Sequence, residues 1–572
     1  MHQEDDTPDI GQITSVNGSH ATARLGEGAM TLGAGSARLT IGRLVAMRTH
    51  HSRVVGVIAK LTAVQRPDMT SVNLIADIDL LGEVRRRGEP DAFFQRGVTD
   101  YPTIGDQLAE IGAEELKLIH RISRGDTIEV GRLQLDDSIP AYINFDEMLH
   151  KHFAILGTTG VGKSTSVSLI LNEILNKHTN LRIFLIDPHN EYGNCFGEQA
   201  KVMSPKNLRL PYWLFNFEEI VDVFFRGRPG VEEETEILSE LIPAAKAQFA
   251  ANRRDRLLMR KLAGGHTADT PVPYRISDLV ALIKERMGKL ENRSSWTKYQ
   301  RIVTRIETLG QDSRYSFMFD NLLVDDIMTD VISELLRLPP EGQPITVMQL
   351  AGFPAEVVDS VVSVLCRMAF DFGTWSDGAA PILVACEEAH RYVPADRRLG
   401  FGPTRKALSR IAKEGRKYGV YLAAVTQRPA ELDPTILSQC STVFAMRMSN
   451  DRDQAIVRSA IPDAGSSLLD FLPSLGTAEA IAFGEGVALP TRFHFSEVPK
   501  EQIPRSRAGE RDQEFESVGD VDMGFISAVV DRWREATTTI PRPRLSVVDG
   551  ETVSAESEWT TTHYAPDPAD FR

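Results

Sequence analysis

The chain has 572 residues, and its 64 Lys and Arg against 79 Asp and Glu give a formal net charge of −15. The apolar fraction of 42% is enough for large buried cores, which excludes a wholly disordered protein, and no apolar run approaches the ~18 residues of a membrane span. The acidic total argues against a protein that coats nucleic acid over its whole surface, but it leaves room for a local basic channel.

The first region of the chain is predicted to be a domain of short β-strands. Its polar, acidic start MHQEDDTPDI does not resemble a secretory signal, so we expect a cytoplasmic protein without membrane attachment. Segments such as GQITSVNG and RVVGVIAKL alternate with period two, Asn17-Gly18 is a strong hairpin turn, and residues 69–87 are expected to add two strands. This rhythm predicts a small N-terminal β-barrel at residues 1–95.

Residues 96–150 carry mixed signals and are predicted to be a connecting region with a helix at 104–122. After them the character changes, because six short apolar runs are typical of strands buried on both faces of a parallel sheet. These runs are FAILG, LRIFLID, ITVMQL, PILVACEE, VYLAAVTQ and TVFAMRM. The sequence therefore predicts an α/β domain with a doubly wound parallel sheet.

This α/β core is predicted in two parts, residues 151–204 and 341–500, separated by a mostly helical block at 205–340. We interpret the block as an insertion within one sheet, and the alternative is a separate helical domain between two halves. Residues 501–572 are predicted to hold a C-terminal helix at 519–536 and a mobile tail, since the last residues lack periodicity. The four widely spaced cysteines are expected to be buried, reduced thiols rather than disulfides or zinc ligands.

The segment Gly157-Thr-Thr-Gly-Val-Gly-Lys163-Ser164 matches the phosphate-binding pattern GxxxxGK[ST]. Glycines let the backbone wrap phosphates, Lys163 reaches the β- and γ-phosphates, and the Ser164 hydroxyl binds Mg²⁺. An apolar strand precedes the loop and a helix follows it, which favours this interpretation over a simple Gly-rich turn. The predicted nucleotide-binding residues are Gly157, Thr158, Thr159, Gly160, Val161, Gly162, Lys163, Ser164 and Thr165.

Two acidic residues, Glu387 and Glu388, end the apolar run that begins at Pro381. Because the exposed end of a parallel strand faces the ligand crevice, Glu387 fits a Mg²⁺ ligand and Glu388 the base that polarises the attacking water. Two acids after a strand are common by themselves, so this assignment depends on the phosphate loop. At the end of another predicted strand, Gln427 can hydrogen-bond the γ-phosphate or the water, or it can simply cap the strand.

The run at residues 397–417 holds eight basic residues and one acid. Lys406, Arg410, Lys413 and Lys417 recur at helical spacing and are expected to share one helical face. Such a face is usually solvated, but it also suits a neighbouring subunit's nucleotide or a central pore. Arg416 is our candidate for a residue that acts in trans on the γ-phosphate, and Arg447 is the second candidate. The segment Asp187-Pro-His189-Asn-Glu191-Tyr192 ends a strand, where it can position Mg²⁺ or water or simply stabilise its own loop.

These motifs resemble the HerA family of DNA translocases, within the FtsK–HerA group of RecA-like P-loop ATPases. The resemblance depends on HFAILGTTGVGKST, IDPHNEY, ILVACEEAHRYVP and LSRIAKEGRKYGVYLAAVTQRPAELDPTILSQC, and it covers residues 150 to about 495. It implies a RecA-like core preceded by a small β-barrel, a homo-hexameric ring, ATP and Mg²⁺ as ligands, and movement along duplex DNA through a central pore. It also implies a partner, either a nuclease or a Sir2-like effector in antiphage defence.

Carried over by position, the resemblance assigns nucleotide binding to Gly157–Thr165, the acidic pair to Glu387 and Glu388, the polar strand tip to Gln427 and the trans arginine to Arg416. The residues after about 500 match nothing in the family pattern. The leading hypothesis is therefore an ATP-driven DNA motor whose contacts with DNA are to phosphates. Two alternatives stay open: a conjugation-associated ATPase, which commonly has a membrane anchor, and a ring-shaped scaffold that activates a bound effector.

Overall fold

The computed structural model of the chain describes residues 8–505, together with 526–527 and 530–531, except for 27–38, 50–51, 66–71, 87–91, 123–124, 226–229, 253–264, 290–292, 321–323 and 461–465. Two β-sheets organise the described residues. No helix among them is long and apolar enough to cross a membrane. The predicted C-terminal helix and tail lie outside the described residues, apart from the four residues between 526 and 531, which are helical.

The N-terminal sheet closes into a barrel. Its strand order is β2-β1-β7-β3-β4-β5-β6, and β2 also pairs with β5, so six strands form a ring with β6 outside it. The alternating residues that point inward are apolar and buried, as a half-buried strand requires. The predicted Asn17-Gly18 turn joins β1 to β2, with Gly18 at φ +53°. The strands are β1 Asp9–Asn17, β2 His20–Leu25, β3 Leu44–Arg48, β4 Arg53–Gln65, β5 Val72–Arg85, β6 Phe93–Arg96 and β7 Gln107–Glu110.

Two local expectations about this region are wrong. Residues 69–87 contain one long strand, β5, rather than two, because β5 pairs with β4, β2 and β6 along its length. The helix expected at 104–122 is limited to α1, Ala113–His120. Residues 107–110 instead form β7, which pairs with both β1 and β3 and completes the barrel. Tertiary strand pairing overrides local helix propensity at this point.

The second sheet has eleven described strands, in the order β12-β13-β11-β14-β15-β10-β16-β17-β18-β8-β9. Neighbours from β12 to β16 are parallel, and the strands beyond β16 are antiparallel. Each of the six predicted buried runs is one of the parallel strands. The strands are β8 Thr127–Leu133, β9 Asp136–Asn144, β10 His152–Leu156, β11 Arg182–Asp187, β12 Ala200–Met203, β13 Ile345–Gln349, β14 Ile382–Cys386, β15 Val420–Thr426, β16 Cys440–Met446, β17 Glu479–Gly484 and β18 Thr491–Phe495.

The order β16-β10-β15-β14-β11 within this sheet is that of a RecA-like core, in which one strand separates the phosphate-loop strand from the strand that carries the acidic pair. The predicted fold class is therefore confirmed. The antiparallel strands extend the sheet further than the sequence predicted, and two of them, β8 and β9, come from the residues assigned to a connecting region. Their hairpin pairs with β18 and covers that edge of the sheet.

Helices connect the strands of the core and fill the insertion. They are α2 Phe145–His150, α3 Lys163–Lys177, α4 Phe217–Phe225, α5 Glu232–Asn252, α6 Ile276–Gly288, α7 Arg293–Gln311, α8 Ser316–Phe319, α9 Met328–Leu336, α10 Val358–Trp375, α11 Ala389–Tyr392, α12 Gly402–Glu414, α13 Pro434–Ser438 and α14 Asp451–Ser459. The strands that precede and follow the helical block, β12 and β13, are paired neighbours. The chain thus leaves and re-enters one sheet at one edge, as expected of an insertion.

The insertion is fastened to the core by a buried ion pair. Glu219 on α4 is fully buried and accepts hydrogen bonds from Arg367 on α10, with Nη2 to Oε2 at 2.8 Å, and from Ser363 Oγ at 2.7 Å. A buried carboxylate needs such partners because desolvation penalises an unpaired charge. The four cysteines are free thiols, and burial raises the pKa of Cys195, Cys366 and Cys440 to about 12. Such thiols are protonated and inert near neutral pH.

Candidate functional site

The predicted phosphate loop connects β10 to α3. Gly160 and Gly162 have φ values of +78° and +93°, in the left-handed region that glycine adopts without a steric penalty. The carbonyl of Gly162 accepts the N–H of Ser166 at 2.9 Å, which begins α3 directly after the loop. The loop therefore turns tightly into the N-terminus of a 15-residue helix, whose free N–H groups and dipole favour an anion.

Lys163 brings its charge to the acidic pair. Its side chain is only 7% exposed, and its Nζ lies 3.9 Å from Oε1 of Glu387 and 3.9 Å from Oε1 of Glu388. Both glutamates follow the carboxyl end of β14, at the same sheet edge as the loop. The fold thus collects a buried ammonium and two buried carboxylates within a few ångströms, and the catalytic and metal-binding roles of these residues stay predictions.

Glu387 is held by a tyrosine from the loop after β11. The Tyr192 hydroxyl donates a hydrogen bond of 3.0 Å to Glu387 Oε2. Burial raises the pKa of Glu387 to about 7, opposed by the Lys163 charge and the Tyr192 hydrogen bond. Glu387, one of the two predicted Mg²⁺ ligands, is therefore oriented by a buried phenol.

These oxygen donors fit Mg²⁺, which prefers hard oxygen ligands and takes few of them from the protein when phosphates supply the rest. Among the described residues no group of three or more His, Cys, Asp or Glu side chains could hold a metal ion by itself.

Glu388 occupies a strained position at the start of α11. Its φ of +52° lies in the left-handed region, which is costly for a residue with a side chain and is often found at functional sites. The residue is buried, and its Oε2 atom receives no hydrogen bond. The nearby His390 has its Nδ1 atom 3.2 Å from that oxygen.

Gln427 follows β15, the strand between the phosphate-loop strand β10 and the acidic-pair strand β14, and its side chain contacts the phosphate loop. Because β15 lies between β10 and β14, its carboxyl end separates the two halves of the site. The Thr159 hydroxyl donates a hydrogen bond to Gln427 Oε1, and the N–H of Gly157 donates to the Thr426 carbonyl at 3.3 Å. Gln427 therefore contacts the loop itself, and its role toward a γ-phosphate or water stays a prediction.

In the loop after β11, Asp187 and Tyr192 have different roles. The Asp187 carboxylate accepts the N–H groups of Glu191 at 3.1 Å and Tyr192 at 3.0 Å, so it stabilises the loop. Burial raises the pKa of Asp187, and these backbone hydrogen bonds act against that shift. Tyr192, which this arrangement orients, is the residue of the segment that contacts Glu387.

The two candidate trans arginines lie at opposite ends of the parallel strands. Arg416 is in the turn before β15, where its Nη2 lies 2.5 Å from His150 Nε2, so it is at the amino ends of the parallel strands and away from the chain's own loop. Arg447 follows β16, and its carbonyl accepts the N–H and the hydroxyl of Thr158, both at 3.1 Å. The fold does not bring Arg416 to its own site, and its trans role stays a prediction.

Much of the predicted basic run is paired within the chain. Lys406 Nζ lies 2.8 Å from Glu218 Oε2, and Arg398 Nη2 lies 2.9 Å from Asp396 Oδ2. Arg410 lies 3.6 Å from Asp371 and stacks over the Phe370 ring, with 4.2 Å between its guanidinium carbon and the ring centroid. Lys417 lies beyond the end of α12, so the four cations expected on one helical face do not all belong to one helix.

Sequence reasoning did not single out the partners of the catalytic acids. Tyr192 belongs to the segment 187–192, His390 lies two residues after the acidic pair, and Thr426 precedes Gln427. None of the three was predicted to contact an acidic residue of the site. A usable signal was present, since all three residues follow or end a buried parallel strand at the edge where ligands bind. The side chains that would meet there depended on the order of the strands, which the chain order does not reveal.

Comparisons with known proteins show which proteins this chain is similar to. Residues 128–369 match the family model described as helicase HerA, central domain. A probable helicase of Methanocaldococcus jannaschii is 25% identical over 433 residues, covering 74% of this chain and 76% of that protein. The DNA double-strand break repair helicase HerA of Pyrococcus furiosus is 26% identical over 458 residues, covering 73% and 76%. The solved structure of VirB4 from Thermoanaerobacter pseudethanolicus has a TM-score of 0.47 and 14% identity, covering 66% of this chain and 99% of that one.

Proposed function

We propose that this chain, whose residues 128–369 match the model of the HerA central domain, is an ATP-hydrolysing motor that moves along duplex DNA. In this proposal it assembles as a homo-hexamer around the DNA and uses ATP with Mg²⁺. It works with a partner nuclease or Sir2-like effector in DNA end processing or antiphage defence. The helicase names of its relatives support action on DNA, and the partner and the hexamer are carried from the resemblance alone.

The observation that carries the ATPase assignment is Lys163 Nζ at 3.9 Å from both Glu387 and Glu388, at the end of a phosphate loop. In this arrangement the loop N–H groups and Lys163 bind the phosphates and neutralise charge that develops during transfer. Glu388 orients the attacking water and accepts its proton. Ser164 and Glu387 are the residues that would hold Mg²⁺, which supplies further neutralisation of phosphate charge when bound.

Strand β15 offers a route from hydrolysis to movement. Its carboxyl end contacts the phosphate loop through Gln427 and Thr159, and its amino end follows the turn that carries Arg416. A change at the γ-phosphate can therefore be transmitted along β15, from its carboxyl end to its amino end. In a ring, the amino ends of the parallel strands would face a neighbouring subunit or the pore.

A scaffold that activates a bound effector, with little movement on DNA, is the second candidate. It is favoured by the net charge of −15 and by the ion pairs that neutralise Lys406, Arg410 and Arg398 within the chain. Those cations are less available to DNA phosphates than the sequence suggested, and a scaffold needs fewer such contacts.

ATP turnover with and without duplex DNA, at low and moderate salt, separates the two candidates. For a motor we expect DNA to stimulate turnover, salt to weaken the stimulation, and Glu388→Gln to abolish it. The matched control is Glu285→Gln, the same change on an exposed residue of α6. Turnover that ignores DNA, or an effector that stays active with Glu388→Gln, would favour the scaffold instead.

A further inference from the structure

His390 lies between the ends of two neighbouring strands of the candidate site. It is on the short helix α11, and its side chain is 14% exposed. Its Nδ1 atom is 2.9 Å from Thr426 Oγ1 at the end of β15 and 3.2 Å from Glu388 Oε2 after β14. One ring nitrogen is therefore within reach of the candidate base and of the strand that carries Gln427.

The two contacts are not equivalent. The approach to Thr426 has hydrogen-bond geometry, whereas Glu388 Oε2 is buried and receives no hydrogen bond. A buried carboxylate oxygen without a donor is costly, and catalytic hydrogen bonds are often long or misaligned before substrate binds. A small rotation of the His390 ring would direct an Nδ1–H toward Glu388.

Two features suit His390 to support a base rather than to replace it. Burial lowers the pKa of His390 and so favours the neutral ring, which can donate a hydrogen bond without adding a positive charge beside the base. The other carboxylate oxygen of Glu388, Oε1, faces Lys163. A donor on Oε2 would therefore fix the rotation of a carboxylate that already has a cation on its other side.

We propose that His390 is a positioning residue for the Glu388 base, which it holds by a hydrogen bond from Nδ1–H at the place where α11 meets the Thr426 end of β15. This inference rests on the proposed ATPase function. His390 touches neither phosphate nor water in this proposal. It acts by fixing the carboxylate that does.

The test measures steady-state ATP turnover of the full-length protein with Mg²⁺ for wild type, His390→Ala, His390→Asn, Glu388→Gln and the double variant His390→Ala with Glu388→Gln. We expect His390→Ala to lower kcat by roughly 10- to 100-fold, with KM for ATP changed less than about threefold, because orientation of the base matters only in the transition state. His390→Asn, whose amide N–H can replace Nδ1–H, should recover most of kcat.

The double variant distinguishes positioning from general damage to the fold. If His390 acts through Glu388, adding His390→Ala to Glu388→Gln costs little more than Glu388→Gln alone. The matched control is His494→Asn, at the exposed position of β18, which should keep wild-type turnover. Binding of a fluorescent ATP analogue to each variant confirms that the loop is folded.

Three outcomes would overturn the inference: an unchanged kcat in His390→Ala, a defect in KM alone, or a loss in the double variant equal to the product of the single losses. A defect that His390→Asn fails to relieve would also count against the Nδ1 hydrogen bond. Failure of the proposed function looks different, since wild type would then lack ATP turnover, or Glu388→Gln would match wild type, and both proposals would fall together.

Discussion

The Tyr192 hydroxyl donates a 3.0 Å hydrogen bond to Oε2 of Glu387, although the two residues are 195 positions apart in the chain. This contact joins the loop after β11 to the acidic end of β14. It gives a buried carboxylate the donor that makes its charged form tolerable. Tyr192 therefore orients one of the two residues expected to hold Mg²⁺.

Tyr192→Phe should therefore raise the Mg²⁺ concentration needed for half-maximal ATP turnover. A hydrogen bond to a charged group contributes about 1.5–3 kcal/mol, which corresponds to a change of roughly ten- to a hundredfold in affinity if all of it is lost. Titration of turnover with Mg²⁺ at saturating ATP measures the shift. Tyr142→Phe, on an exposed residue of β9, is the control, and an equal Mg²⁺ requirement in both variants would refute the assignment.

Lys163→Ala should abolish nucleotide binding. The ammonium is the buried cation that meets both glutamates, and its loss leaves two carboxylates facing the phosphates without compensation. Fluorescence titration with a labelled ATP analogue measures the affinity. Lys284→Ala on α6 removes an exposed lysine as the control, and tight binding retained by Lys163→Ala would contradict the loop assignment.

Glu388→Gln and Glu387→Gln should impair ATP hydrolysis in different ways. If Glu388 orients the water, its variant binds ATP normally but hydrolyses it at least ~100-fold more slowly, with an unchanged Mg²⁺ requirement. If Glu387 is the metal ligand, its variant instead needs more Mg²⁺. Single-turnover hydrolysis over a Mg²⁺ series separates these effects, and identical profiles would mean that the two roles are not divided as proposed.

Arg416→Ala should leave nucleotide binding intact and reduce turnover only in the assembled ring. Arg416 lies at the amino ends of the parallel strands, whereas its own phosphate loop lies at their carboxyl ends. We therefore expect its guanidinium to contact the nucleotide of a neighbouring subunit. The measurement mixes Arg416→Ala with Lys163→Ala subunits and follows ATP turnover. Restored turnover supports a trans role, no rescue counts against it, and Lys417→Ala serves as the neighbouring control.

Acid should destabilise the fold through His152. Its Nε2–H donates to the Ala412 carbonyl at 2.9 Å and its Nδ1 accepts the Leu422 N–H at 3.0 Å, so the buried ring is held neutral. Burial lowers its pKa to about 4, below the ordinary value of 6.5. The unfolded chain therefore binds a proton first as pH falls below 6.5, and stability is lost between pH 6.5 and about 4, on the order of 2 kcal/mol by pH 5.

The urea midpoint of unfolding at pH 7 and at pH 5 tests this prediction. His152→Gln keeps a donor and an acceptor but cannot take up the proton, so its midpoint should fall less between the two pH values than that of wild type. Burial also lowers the pKa of His120 to about 4, so His120→Gln gives a comparison at a second site. Equal shifts for wild type and His152→Gln would contradict the assignment.

The sequence by itself determined the features that depend on local chemistry. The spacing of glycines before Lys163 specifies a tight phosphate loop, and six continuous apolar runs specify buried parallel strands, because both signals lie within a few residues of each other. The acidic pair could be placed at the carboxyl end of its strand for the same reason. The parallel strands of the core and the phosphate loop therefore followed from patterns that any short window contains.

Tertiary structure alone decided which distant groups meet. The order of the strands brings Tyr192 to Glu387 and His390 to Thr426. It also adds β8 and β9 to the core sheet and leaves Arg416 at the end of the strands opposite the phosphate loop. The same pairing turned residues 107–110 from an expected helix into the strand that helps close the barrel. These outcomes depend on which strand edges and apolar faces are still unpaired once the core has formed. A short stretch of sequence does not determine which partner pairs with them.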